Sequence, residues 1–145
     1  MAISKRRADC APPLIADVRR RQNMTLPNSA LLEILSVGHI TSIRSDEGLS
    51  LRDALSRVNY SAFRSQLEPG VILAALKQNA ALVDQWVMYS EDKRTSGGWY
   101  ILADKREIGR VGVPDSALRF ARLDEAVAEY VLRELDFWAG LRGAA

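Results

Sequence analysis

The amino-acid sequence predicts an α+β fold: N-terminal helices, then a small antiparallel three-stranded sheet, then a C-terminal amphipathic helix. Three observations carry that expectation. Apolar residues recur at helical spacing from Leu51 to about Ser90. The pattern then changes to short aromatic and aliphatic runs, Trp99 to Leu102 and Ile108 to Val113, separated by the charged turn Asp104-Lys105-Arg106-Glu107. Helical spacing returns after Asp124 and persists to Gly140.

Asn28 or Ser29 can cap a first short helix that turns Leu31, Leu32, Ile34 and Leu35 inward, with Gly38 as its stop. His39 to Arg44 is ambiguous, because Ile40 and Ile43 are three apart and do not alternate. Ser50-Leu51-Arg52-Asp53 has the form of a capping box with Asp in place of Glu. Leu51, Leu55, Val58 and Ala62 follow at spacings of four, three and four, which predicts a helix to about Leu67. Glu68-Pro69 interrupts it, since the residue before proline is pushed out of the α region, and Pro69 can open the next helix at its first position. Val71, Ile72, Leu73, Ala75 and Leu76 make that helix strongly apolar and therefore central. Asn79 is placed as a hinge or cap, and Leu82, Val83, Trp86, Val87 and Tyr89 carry the helical spacing onward.

Ser90 to Gly98 is polar and ends in two glycines, which reads as a loop. Pro114-Asp115 turns the chain after the second strand, and Leu118 and Phe120 suggest a third. Asp124 caps the last helix. Val127, Tyr130, Val131, Leu135 and Trp138 form its buried stripe, with Glu125, Glu129, Arg133 and Asp136 off it and Gly140 at its end.

With 145 residues the chain suits one domain and can bury a core of ordinary size. Net charge is +2, unevenly placed. Up to Thr25 there are six basic and two acidic residues, and the remainder is net acidic. Residues 1–27 therefore read as a basic arm and residues 28–145 as a single α+β domain. The basic pI belongs to the arm and says little about the body. A lone cysteine, Cys10, forms no internal disulfide and fits a reducing compartment. No apolar stretch follows the basic start, and no run is long enough to cross a membrane. These readings lead to a cytoplasmic protein with no membrane partner.

Several chemistries are poorly supplied. One His and one Cys do not make a zinc or redox-metal site, and no carboxylate cluster has motif status, so no metal or cofactor is expected. His39 is the only imidazole base, and Cys10 lies in the arm, far from a rigid scaffold. Neither glycine-rich nucleotide motif is present. Gly109-Arg110-Val111-Gly112 reads as a twist or bulge in a hairpin. No catalytic residue is assigned.

The most unusual stretch is Ser90 to Tyr100. Asp92, Lys93, Arg94, Thr95, Ser96 and Trp99 are the candidate partner-binding residues, because hydroxyls, cations and glycines beside an aromatic anchor can hold a partner. A bland reading competes: a solvated connector whose aromatics enter the core. The α-β-β-β-α order of residues 70–140 invites comparison with double-stranded-RNA-binding domains. Those place a basic cluster at the start of the last helix, where this chain has Asp124-Glu125, and no membership is assigned. The leading expectation is a non-catalytic protein–protein interaction domain, such as an inhibitor or immunity-type protein that blocks a toxin or enzyme. The alternative is a nucleic-acid-associated regulator acting through Arg19, Arg20 and Arg21 of the arm.

Overall fold

A computed structural model of the chain describes residues 25–39, 50–93 and 97–141. The α-helices that lie wholly within the described residues are labelled in chain order: α1 Asn28–Leu35, α2 Leu51–Arg57, α3 Tyr60–Phe63, α4 Pro69–Gln78, α5 Ala81–Asp92 and α6 Leu123–Ala139. Three strands lie between α5 and α6: β1 Trp99–Leu102, β2 Glu107–Arg110 and β3 Leu118–Arg119. They form one antiparallel sheet in the order β1-β2-β3. The α+β class, the three-stranded antiparallel sheet and the closing helix are all as the sequence predicts.

Local signals explain most boundaries. The Ser50 hydroxyl accepts from the Asp53 N–H, so half of the predicted capping box forms and starts α2. Pro69 opens α4 at its first position, where its missing N–H costs nothing. Asn79 ends α4 and its side-chain amide donates to the Ala75 carbonyl. Gly140 closes α6 in the left-handed region at φ 72°.

Other boundaries differ from expectation. The predicted helix from Leu51 to Leu67 breaks at Asn59, which adopts φ 57° and redirects the chain into α3 and a 3-10 turn over Arg64–Gln66. The break rotates the inward face, so Tyr60 is buried and Ala62 is exposed. α1 begins after Pro27 with no side-chain cap, and Leu32 stays exposed. Gly38 is not a stop. It lies flat against Trp86, whose ring would be 2.7 Å from any Cβ at that position. α5 runs on to Asp92, two residues past its predicted end. α6 starts one residue before Asp124, whose carboxylate instead accepts from Arg122. β2 stops at Arg110, leaving Val113 exposed.

One continuous core joins these elements, and α6 is its axis. α6 packs most extensively on α4 and also touches α2, α5, β1 and β2. Val131 and Leu135 are fully buried at its centre, as the apolar stripe predicts. Trp86 is sealed among α1, α5 and α6. Its indole N–H donates to the Leu35 carbonyl, and its ring meets Tyr89 and Tyr130 edge-on. Among the described residues no helix is long and apolar enough to cross a membrane. Leu26 already packs on the core, and its N–H donates to the Gln66 side chain.

Candidate functional site

Because α6 is packed by five elements, little of it reaches solvent. Its burial covers Ala126, Val127, Ala128, Tyr130, Val131 and Leu132 and continues through Glu134, Leu135 and Asp136. The strip between them carries Glu125, Glu129, Arg133 and Phe137, four residues apart and hence on one helical face. The C-terminal half of that strip meets the start of the sheet, and the candidate site lies there.

The base of the site is a sealed ion pair. Glu134 has a side chain with no exposure, and Lys93 is 7 % exposed; Nζ of Lys93 lies 2.8 Å from Oε2 of Glu134. Oε1 of the same carboxylate accepts the Trp99 N–H at 2.8 Å, and Lys93 donates to the Trp99 carbonyl at 2.6 Å. Nearby, the Ser90 hydroxyl accepts the Ile101 N–H at 3.0 Å. Alternate residues of an antiparallel strand direct their backbone groups to opposite sides. The groups of Trp99 and Ile101 therefore face away from β2; Glu134 and Lys93 satisfy those of Trp99, and Ser90 takes the Ile101 N–H. Gly98 makes this approach possible. It sits at φ +82°, and a Cβ there would fall 2.2 Å from Oε1 of Glu134.

Above the base lies a crossed set of arginine and aromatic side chains. Trp99 and Arg110 are cross-strand partners on β1 and β2. Arg133 and Phe137 are one turn apart on α6. The Arg133 guanidinium lies over the Trp99 ring, 4.8 Å from its centre, and the Arg110 guanidinium lies over the Phe137 ring at 5.5 Å. Each pair thus supplies the cation for the other pair's ring. Phe137 also meets Trp138 edge-on at 5.0 Å, and Gly97 packs against both rings. Trp99 is buried, whereas Arg110, Arg133, Phe137 and Trp138 are half-buried. Arg133 keeps one donor, Nε, on Glu129 at 2.8 Å. Arg110 has no ion-pair partner among the described residues. The buried indole N–H groups of Trp99 and Trp138 have no acceptor there.

A second buried carboxylate points to the opposite side of α6. Asp136 accepts from the Tyr60 hydroxyl at 2.6 Å and takes the Arg64 guanidinium in a two-point pair at 2.6 and 2.8 Å. Arg64 also donates to the Leu67 carbonyl, tying the 3-10 turn to the helix. Burial and the Asp136 hydrogen bond raise the Tyr60 hydroxyl above its usual range. Burial and the neighbouring Glu134 carboxylate raise Tyr89 and Tyr130 in the same way. Beside Tyr60 a recess of about 270 Å³ is lined by Arg52, Leu55, Ser56, Asn59 and Ala139 among others. Arg52 donates from Nε to the Trp138 carbonyl at its edge. Among the described residues no three His, Cys, Asp or Glu side chains gather where they could hold a metal ion.

Of the residues singled out from sequence for partner binding, Asp92, Lys93 and Trp99 are among the described residues. Asp92 is exposed at the end of α5. Lys93 and Trp99 converge on Glu134 and point inward, so they build the base and present little surface. Arg94, Thr95 and Ser96 lie outside the described residues, as do Arg19, Arg20, Arg21 and Cys10. Sequence reasoning missed Arg110, Arg133, Phe137 and Glu134. Arg133 and Phe137 carried a usable signal in their four-residue spacing off the apolar stripe, whereas Arg110 depends on strand register. Comparison with protein-family models, with curated proteins and with solved structures finds no match for this chain, so the reading of this corner rests on its geometry.

Proposed function

We propose that this chain is a non-catalytic protein-binding domain whose docking surface is the corner formed by Arg110, Arg133, Phe137 and Trp138. An inhibitor or immunity-type protein, which acts by occupying the surface of a toxin or enzyme, is the concrete form of this reading. The observation that carries it is the crossed arginine–aromatic set, half-exposed on a sealed base. Arginine and large aromatic residues dominate the energetics of protein interfaces. Here their side chains are already held by ring stacking and by the helix, so less freedom is lost on docking. The charged groups beneath, Lys93 and Glu134, are committed to each other and to the backbone of Trp99. The raised tyrosine hydroxyls stay protonated through the neutral range, which suits a scaffold better than an acid–base site.

Site-specific photocrosslinking in the cells that make the protein tests this. A photoreactive phenylalanine analogue at position 137 should yield one discrete protein adduct, and the same group at the exposed position 78 on α4 should not. No adduct from position 137, or the same ladder from both positions, would overturn the proposal.

A further inference from the structure

We infer that the partner presents an acidic protein segment to this corner, with carboxylates for Arg110 and Arg133 and an apolar side chain for Phe137. This rests on the docking surface proposed above. Arg110 has no ion-pair partner among the described residues, and Arg133 commits only Nε, to Glu129. Stacking over Phe137 and Trp99 holds both guanidiniums in place while donors remain for an incoming group. A guanidinium so held matches the two oxygens of a carboxylate, and the ring beneath retains its attraction for the cation. The carboxylates nearest the two guanidiniums are already spent: Glu134 on Lys93 and Glu129 on Arg133. The corner is therefore locally cationic although the body as a whole is acidic, and it complements carboxylates.

A nucleic acid offers anions too, but it fits less well. A phosphate strand extended along α6 would meet Glu129 and then Glu125, whose charges repel it. An acidic protein segment needs only the compact patch around Arg110, Arg133 and Phe137.

The full-length protein is titrated with a short peptide alternating glutamate and leucine, and separately with a single-stranded DNA of equal charge. Tryptophan fluorescence reports on both, because Trp99 lies under Arg133 and Trp138 beside Phe137. The peptide should bind more tightly than the DNA. Arg110→Gln with Arg133→Gln should weaken it about tenfold or more, and Arg133→Lys should weaken it less. A thermal melt accompanies each variant. If the double variant melts early, Arg110→Gln alone serves, since Arg110 breaks no ion pair. Absent peptide binding, equal affinity in the variants, or tighter DNA binding each overturns the inference. If position 137 crosslinks a protein and the peptide result is negative, the acidic chemistry fails and the docking surface stands. If position 137 crosslinks nothing, the docking surface itself fails.

Discussion

Two groups of charged side chains are built on consecutive residues of α6, Arg133 and Glu134, and differ in almost every physical respect. Glu134 and Lys93 form a sealed pair that also completes the backbone bonding of β1. Arg133 and Arg110 lie over aromatic rings at the surface, and one of them has no carboxylate at all. The sealed pair is held by hydrogen bonds in a medium of low polarity, where losing one partner strands the other. The surface set is held by stacking and remains hydrated, so each member can be lost cheaply. The contrast separates scaffold from candidate interface more sharply than residue type does, because arginine and lysine, usually treated as alike, fall on opposite sides of it.

The largest expected effect is on the sealed pair. Glu134→Ala should cost about 3–5 kcal/mol in denaturant unfolding, because it leaves the Lys93 ammonium buried without its counter-ion and the Trp99 N–H without an acceptor. Replacing both charges, with Glu134→Leu and Lys93→Met, should be milder than Glu134→Ala alone. A loss under about 1 kcal/mol in the single variant would place the pair with the surface set. Gly98→Ala should come next, costing at least about 1–2 kcal/mol for its left-handed backbone, plus the displacement of Glu134.

The third expectation concerns alkaline pH. The hydroxyls of Tyr60, Tyr89 and Tyr130 are raised above the ordinary value of 10.0 by burial, so folding favours their protonated forms. A group raised in the folded state contributes stability that is complete below its unfolded value and is lost as pH rises beyond it. The melting midpoint should therefore hold to about pH 10 and fall above it. Tyrosinate absorbance should show Tyr100 ionising first and the other three only with unfolding. Early ionisation of two or more would mean that the interior beside the sealed pair is open to water. The smallest effect is expected at the surface: Arg110→Ala should change stability by no more than about 1 kcal/mol. A larger loss would make the crossed set part of the scaffold.

What was legible in the sequence was local. Ser50, Pro69, Asn79 and Gly140 act on neighbouring backbone, so their signals survive without knowledge of the fold. Val131 and Leu135 follow from periodicity alone. The burial of Glu134 and Asp136 was not legible, because a helix surrounded by five elements buries an arc wider than its apolar stripe. Their partners also lie far along the chain: Lys93 at a separation of 41 residues and Arg64 at 72. The break at Asn59 was hidden because Val58 and Ala62 continue a plausible stripe across it. Of the side chains singled out beside the sheet, Asp92 is exposed whereas Lys93 and Trp99 turn inward. Lys93 and Trp99 have the composition of a binding loop, and only the position of Glu134 shows that they turn inward.

The outward N–H and C=O of Trp99 and the N–H of Ile101, already taken by side chains, have one more consequence. A strand at the margin of a sheet ordinarily offers a template on which a strand from another molecule can add. Along β1 that template is occupied at Trp99 and at the Ile101 N–H by Glu134, Lys93 and Ser90. The ladder is terminated there by side chains from α6 and the end of α5, both of which pack on β1. Extension of the sheet from one copy to the next through β1, the first step toward a fibril, would have to expel a buried carboxylate and a buried ammonium together.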